Sequence, residues 1–251
     1  MSGHSKWANI KHRKGIADAK KGALYTKMAR EIGVAVKAGG ANPDANYRLR
    51  LAIDKAKSSN MPTVNIERAI KRASGEDSAD QLAEVTYEGY GPGGVALMLH
   101  AVTDNKNRTV SQIRATLTRA GGNLGESGCV SWNFESKGII TLQTDPIKAE
   151  EIMLQAIDVG AEDVSVDGGY VEIYTIPEEL EKVRRALTDK SVKIDTAELS
   201  MKPKATVSLD HKTALQALRL LDTLEDMEDV QKVYANADFP EDALEEYGKA
   251  A

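Results

Sequence analysis

Through the first 75 residues, apolar side chains recur at the three-to-four-residue spacing that gathers them on one face of a helix. Leu24, Met28, Ile32 and Ala35 form one stripe. Ala38-Gly39-Gly40 ends it, because glycine enters the left-handed C-cap without a Cβ penalty. Leu49, Ala52, Ile53 and Ala56 form a second stripe, and Ile66, Ala69, Ile70 and Ala73 a third, stopped by Ser74-Gly75. Three short amphipathic helices hide such stripes by packing together, so a three-helix bundle is predicted.

After the polar joint Gly75-Glu76-Asp77-Ser78 the texture changes to strands. Glu84 to Tyr90 and Val95 to Val102 are strand-like runs joined by Gly91-Pro92-Gly93-Gly94, a hairpin signal. Val110, Ile113 and Leu117 mark a helix closed by Gly121-Gly122. Next come a strand at Gly138 to Gln143 and a helix carrying Ile152, Ala156 and Ile157. Strands at Val164 to Val166 and Val171 to Ile176 follow, then a helix through Leu180, Val183 and Leu187, and a strand at Val192 to Leu199. Strand–helix–strand–strand–helix–strand is the ferredoxin-like order. Ala205 to Leu209 (strand), Leu215 to Leu224 (helix) and Val230 to Tyr234 (strand) supply the half missing from the unit begun at Glu84. The expected fold is therefore α+β and multidomain. An N-terminal three-helix bundle precedes two α/β domains, one ferredoxin-like and inserted in the other. The expected boundaries are 1–78 for the helical domain, 79–134 plus 205–251 for the discontinuous domain, and 135–204 for the insert.

Composition narrows the class. A hydrophobic content of 41% argues for folded domains, and an aromatic content of 5% leaves the cores to Leu, Ile, Val, Ala and Met. No apolar run approaches the roughly 20 residues of a membrane span, so no membrane association is expected. The single cysteine, Cys129, excludes an intramolecular disulfide and suits a reducing compartment. With His4, His12, His100 and His211 scattered, no metal cluster and no cofactor are expected. The start of the chain lacks the apolar core of a secretory signal and is richer in Lys than a mitochondrial transit peptide. It is read as part of the working protein, in the cytoplasm of a bacterium.

Charge changes the picture most. The net charge is -5, yet residues 1–75 hold 16 Lys and Arg against 5 Asp and Glu, a net of +11. The remainder holds 17 against 33, a net of -16. Such segregation points to a basic module for a polyanion joined to domains that the same polyanion would repel. A solvated helical surface attracted to acidic neighbours is the plainer alternative. The candidate phosphate contacts are Lys6, Lys11, Arg13, Lys14, Lys20, Lys21, Lys27 and Arg30, with His4 and His12 as further donors. Trp7 either stacks on an unpaired base or plugs the N-terminal segment against the bundle. Lysine contacts phosphate more readily than it reads base edges, and there is no helix-turn-helix pattern. Structured RNA, as ribosomal RNA or tRNA, therefore leads over duplex DNA.

Weaker signals follow. Gly91-Pro92-Gly93-Gly94 has no Gly-Lys-Ser/Thr behind it, so a hairpin turn is favoured over a phosphate loop. Asp104 to Thr109 opens a helix where Asn105, Lys106 and Arg108 either hold an anion or simply cap it, and capping is preferred. Glu88, between Tyr87 and Tyr90, is a candidate for orienting a loop at a partner surface. Cys129 reads as a small buried apolar group. No catalytic residues are singled out, and the acidic α/β domains suit a protein partner.

Four separated stretches, SGHSKWANIKHRK, YEGYGPGG, TDNKNRT and GGNLGESGCVSWNF, resemble the YebC/PmpR family along essentially the whole chain. Cys129 stands where the family usually has serine, and Ser2 where alanine is common. The resemblance implies a helical bundle followed by two α/β domains, one interrupted by the other, and no enzymatic activity. It also implies one of two roles: DNA binding in transcriptional regulation, or action on the ribosome, including relief of stalling at proline-rich stretches.

Overall fold

The computed structural model describes residues 18–75 and 82–250. Its first three helices are α1 (Asp18–Gly39), α2 (Tyr47–Ser58) and α3 (Thr63–Ser74). Their stripes form one core in which Met28, Ile32, Ala35, Leu49, Ala52, Ile53, Ala56 and Ile66 are buried. Gly40 ends α1 with φ of +84°, a conformation that costs an L side chain free energy. Asn46 then couples the end of α1 to the start of α2. Its Nδ2 donates to the carbonyls of Ala35 (2.7 Å) and Gly40 (2.8 Å), and its Oδ1 accepts from Leu49 N (3.0 Å).

The first sheet contains β1 (Ala83–Tyr90), β2 (Ala96–Thr103), β3 (Asn123–Leu124) and β9 (Val230–Ala235) in the order β3-β1-β2-β9. β1 and β2 pair antiparallel from Ala83↔Thr103 to Tyr90↔Ala96. The hairpin turn between them carries Gly93 at φ +72°. A Cβ on Gly93 would lie 2.6 Å from Leu209 Cδ2 and 2.9 Å from Thr213 Cγ2, so the turn lies directly against the start of α7 (His211–Glu225). β2 is buried along its length except at His100, which matches a sequence that is apolar from Ala96 to Val102 apart from that histidine. α4 (Lys106–Arg119), α7 and α8 (Glu241–Ala250) contribute Ile113, Leu117, Leu218, Leu221 and Leu244 to the core over this sheet.

The second sheet is built from β4 (Phe134–Gln143), β5 (Asp163–Asp167), β6 (Tyr170–Thr175) and β7 (Thr196–Pro203), in the order β5-β6-β4-β7 and antiparallel throughout. With α5 (Pro146–Asp158) and α6 (Leu180–Asp189) it makes the ferredoxin-like arrangement, around Ile140, Leu142, Ile152, Val171, Ile173, Val183 and Leu187. Residues 132–206 form one compact unit. The described helical bundle and first sheet belong to the other, with residues 207–251. The fold is α+β, with the ferredoxin-like unit inserted in the other α/β domain.

Three local expectations need correction. The last strand of the insert begins at Thr196, not Val192. Val192 and Ile194 pack partly buried against the core from a loop, while the ladder starts where Thr196 meets Thr141. The expected strand at Ala205 to Leu209 shrinks to β8 (Val207–Ser208), a short parallel partner of β10 (Ala237–Asp238). α8 has no expected counterpart, because its short apolar set, Ala243, Leu244 and Tyr247, is surrounded by acids.

Candidate nucleic-acid interface

Of the residues assigned to phosphate binding, His4, Lys6, Trp7, Lys11, His12, Arg13 and Lys14 lie outside the described residues. Lys20 is within α1, where only its backbone is described, and Lys21 is exposed on the next position. Lys27 and Arg30 are corrections. Lys27 Nζ donates to the carbonyl of Glu225, the last residue of α7, where a cation complements the helix dipole. Arg30 Nη1 donates to Asp229 Oδ1 at 2.6 Å and to the Glu228 carbonyl at 3.1 Å, and its Nη2 reaches Glu228 Oε1 at 2.7 Å. Both cations hold the bundle on the α7–β9 turn instead of facing a phosphate.

Asp229 is the centre of that joint and is 4% exposed. Beside Arg30, it accepts from Arg108 Nη2 (2.9 and 3.1 Å), Thr109 Oγ1 (2.7 Å) and Thr103 Oγ1 (3.2 Å). Burial alone would raise its pKa, but the donors from Thr109, Arg108 and Arg30 outweigh it and hold the carboxyl below its ordinary value. A buried charge is tolerated only when saturated in this way. A second link joins Arg48 of α2 to Glu84 of β1.

The second candidate set divides. Asn105 is the N-cap of α4, its side chain accepting from Arg108 N at 3.0 Å, so the capping reading holds. Arg108 is bound to Asp104 (2.6 Å) as well as Asp229 and is not a free anion receptor. Lys106 is exposed. Glu88 is not at a partner surface: it is 6% exposed and accepts from the backbone N–H groups of Gly128, Val130 and Ser131, each at 2.8 Å. Burial pushes its pKa up, and those three backbone donors more than offset this, leaving it lowered. It orients a loop, as expected, but an internal one.

Cys129, in that loop, is only partly buried. Burial and the nearby Glu88 carboxylate raise its pKa, which disfavours the thiolate a nucleophile needs. On the bundle, Lys57, Arg68, Lys71 and Arg72 are exposed on α2 and α3, together with Lys21 and Lys37 of α1. A basic outer surface thus remains after the joint has taken Lys27 and Arg30.

Residues 82–237 match the family described as "TACO1/YebC second and third domain", and residues 5–76 match "TACO1/YebC protein N-terminal domain". The chain belongs to the TACO1/YebC family. A relative from Dehalococcoides mccartyi strain BAV1 is 55% identical over 251 residues, covering 100% of both chains. One from Dictyoglomus turgidum is 52% identical over 246 residues, covering 98% of this chain and 99% of its own. Both are named probable transcriptional regulatory proteins. The crystal structure of a conserved hypothetical protein from Aquifex aeolicus superposes with a TM-score of 0.82 at 50% identity, covering 89% of this chain and 93% of that one.

Sequence reasoning about this YebC-family protein missed Asp229. It lies in the acidic run Glu225-Asp226-Met227-Glu228-Asp229, where spacing does not distinguish one carboxylate from its neighbours. Its position directly before a buried strand is the single local hint.

Proposed function

We propose that this YebC-family protein is a non-enzymatic, nucleic-acid-binding regulator of gene expression that acts on the ribosome, contacts ribosomal RNA or tRNA, and relieves stalling at proline-rich stretches. The observation that carries the reading is the charge segregation, 16 cations against 5 acids in residues 1–75 and 17 against 33 beyond. The exposed cations on α2 and α3 support it, because they extend the basic surface past the N-terminal segment. The saturated joint at Asp229 supports it mechanically: a basic module gripping a polyanion stays attached to the acidic domains that meet other partners. Lysine-rich contact with backbone and shape suits folded RNA. The acidic α/β domains leave most of their surface to protein partners, since broad phosphate contact is repelled there.

A second reading, duplex DNA binding in transcription, is favoured by the names its relatives carry. Crosslinking in cells followed by sequencing separates the two: ribosomal RNA or tRNA is expected, and recovery of promoter DNA instead would replace the first reading. Unchanged pausing at proline-rich codons in ribosome profiles of a deletion strain would also count against it. With about six phosphate contacts, affinity should fall at least ~10³-fold between 50 and 200 mM salt. Turning Lys11, Arg13, Lys14, Lys20 and Lys21 to glutamate should abolish retention on ribosomes.

A further inference from the structure

α4 differs in charge from the rest of its α/β domain. Its 14 residues, KNRTVSQIRATLTR, contain Lys106, Arg108, Arg114 and Arg119 and no acid, inside a region that is otherwise strongly acidic. The helix buries Thr109, Ile113, Thr116 and Leu117 against the first sheet, which turns the remaining positions outward. Arg108 is held by Asp104 and Asp229. Lys106, Arg114 and Arg119 are exposed, and among the described residues none of the three is ion-paired. Arg119 Nε donates only to the carbonyl of Ala115, at 3.2 Å. Leaving several cations unpaired on one helix costs self-repulsion that an anionic ligand would relieve.

We infer that the outer face of α4 is a second nucleic-acid contact surface, separate from the basic N-terminal segment, with Lys106, Arg114 and Arg119 binding the sugar–phosphate backbone. A shallow cleft of about 710 Å³ runs beside Ser111, Gln112, Ala115 and Arg119 and is bounded opposite by Met227 and Glu228. The acids on that rim are already satisfied: Glu228 pairs with Arg30 at 2.7 Å, and Asp229 is saturated by four side chains. They therefore oppose a polyanion less than their formal charge implies. Small Ser111 and Ala115 on the helix surface allow a backbone to approach closely. Asn107, Gln112 and Thr118 add neutral donors suited to phosphate and sugar oxygens. An acidic protein would need an apolar anchor to bind stably, and the exposed residues of α4 include no apolar side chain larger than Ala115.

This inference rests on the nucleic-acid reading above, and its test separates the two. The full chain with Lys106→Glu, Arg114→Glu and Arg119→Glu is compared with a control carrying Lys148→Glu, Lys190→Glu and Lys212→Glu, which has the same net charge at exposed sites elsewhere. Binding to a single-stranded RNA and to a duplex DNA is measured across a salt series. The α4 variant should bind at least ~10-fold more weakly than the control, and the slope of log affinity against log salt should fall by about 2 on single-stranded RNA. If the Glu variant melts early, Arg114→Gln with Arg119→Gln should give about two-thirds of that change in slope. An α4 variant indistinguishable from the control, while the N-terminal Lys-to-Glu variant still loses binding, overturns the α4 surface and leaves the general reading standing. A parent that retains neither probe overturns both. Poly-glutamate competing as well as RNA for the parent, but not for the α4 variant, would reassign the face to an acidic protein and overturn the inference as stated.

Discussion

Two helices of this protein carry clustered arginines and handle them in opposite ways. On α6, Glu181 takes Arg184 at 2.7 Å and Arg185 at 2.6 Å, and Glu179 takes Lys182 at 2.5 Å. That helix is basic by count and nearly neutral to an approaching ligand. On α4, Arg108 is tied inward to Asp229 while Arg114 and Arg119 face solvent with no carboxylate on their own helix. The lesson is that a basic run becomes a binding surface only where its neighbours leave the charge uncompensated. Within α1, Lys27 and Arg30 are likewise built into the joint, so their charge is compensated.

The largest effect is expected where a cation is structural. Asp229→Ala leaves Arg30 and Arg108 without their shared buried acceptor and should cost about 3 kcal/mol in chemical denaturation. Arg114→Ala should change stability by less than ~0.5 kcal/mol. Comparable losses from the two would erase the contrast between inward and outward arginines.

Next comes Glu88→Gln, which replaces an acceptor of three N–H groups by an amide with one oxygen and should cost about 1–3 kcal/mol, seen as faster hydrogen exchange at Gly128, Val130 and Ser131. Because its folded pKa is depressed, Glu88 contributes stability above the unfolded value near ~4.3, and loses it as pH falls through the folded value. Acid-induced opening of this loop should therefore begin only below about pH 4.3 in the parent. Opening between neutrality and that point would contradict the three-donor cradle.

Smaller again, Glu181→Gln releases Arg184 and Arg185 and should destabilise by about 0.5–1 kcal/mol in thermal melts. It should also make α6 more attractive to a polyanion, sharpening the comparison with α4. No gain in RNA retention at low salt would mean that uncompensated charge alone is insufficient.

The smallest effect concerns His211, whose two ring nitrogens lie 2.8 Å from Asp242 and 2.9 Å from Glu246 on α8. Hydrogen bonds to Asp242 and Glu246 raise its pKa, so this clamp is complete below the unfolded value and weakens as pH rises through the folded one. Hydrogen exchange in α8 should quicken with pH across that window beyond its intrinsic base dependence. His211→Gln should remove the excess, whereas an unchanged profile would show that the imidazolium contributes nothing.

Much of the architecture was legible because it is local. The stripes at Leu49, Ala52, Ile53 and Ala56, and at Ile113 and Leu117, are buried as their spacing requires. The Gly91 to Gly94 turn needs positive φ that glycine supplies. Elsewhere a local signal has two outcomes. Val192 and Ile194 are apolar in either a strand or a packed loop, and pairing with Thr141 decided between them.

The elements, the α+β class and the uneven distribution of charge follow from the order of residues, since periodicity, turn chemistry and composition are properties of neighbouring residues. Which charges are in use depends on contacts made in the folded chain. Arg30 meets Asp229 across 199 positions of chain, and Glu88 meets Ser131 across 43, separations at which no spacing rule operates. The cost of burying a charge is met by whatever the fold brings alongside, so the role of each arginine and carboxylate follows from contacts that one-dimensional order does not encode.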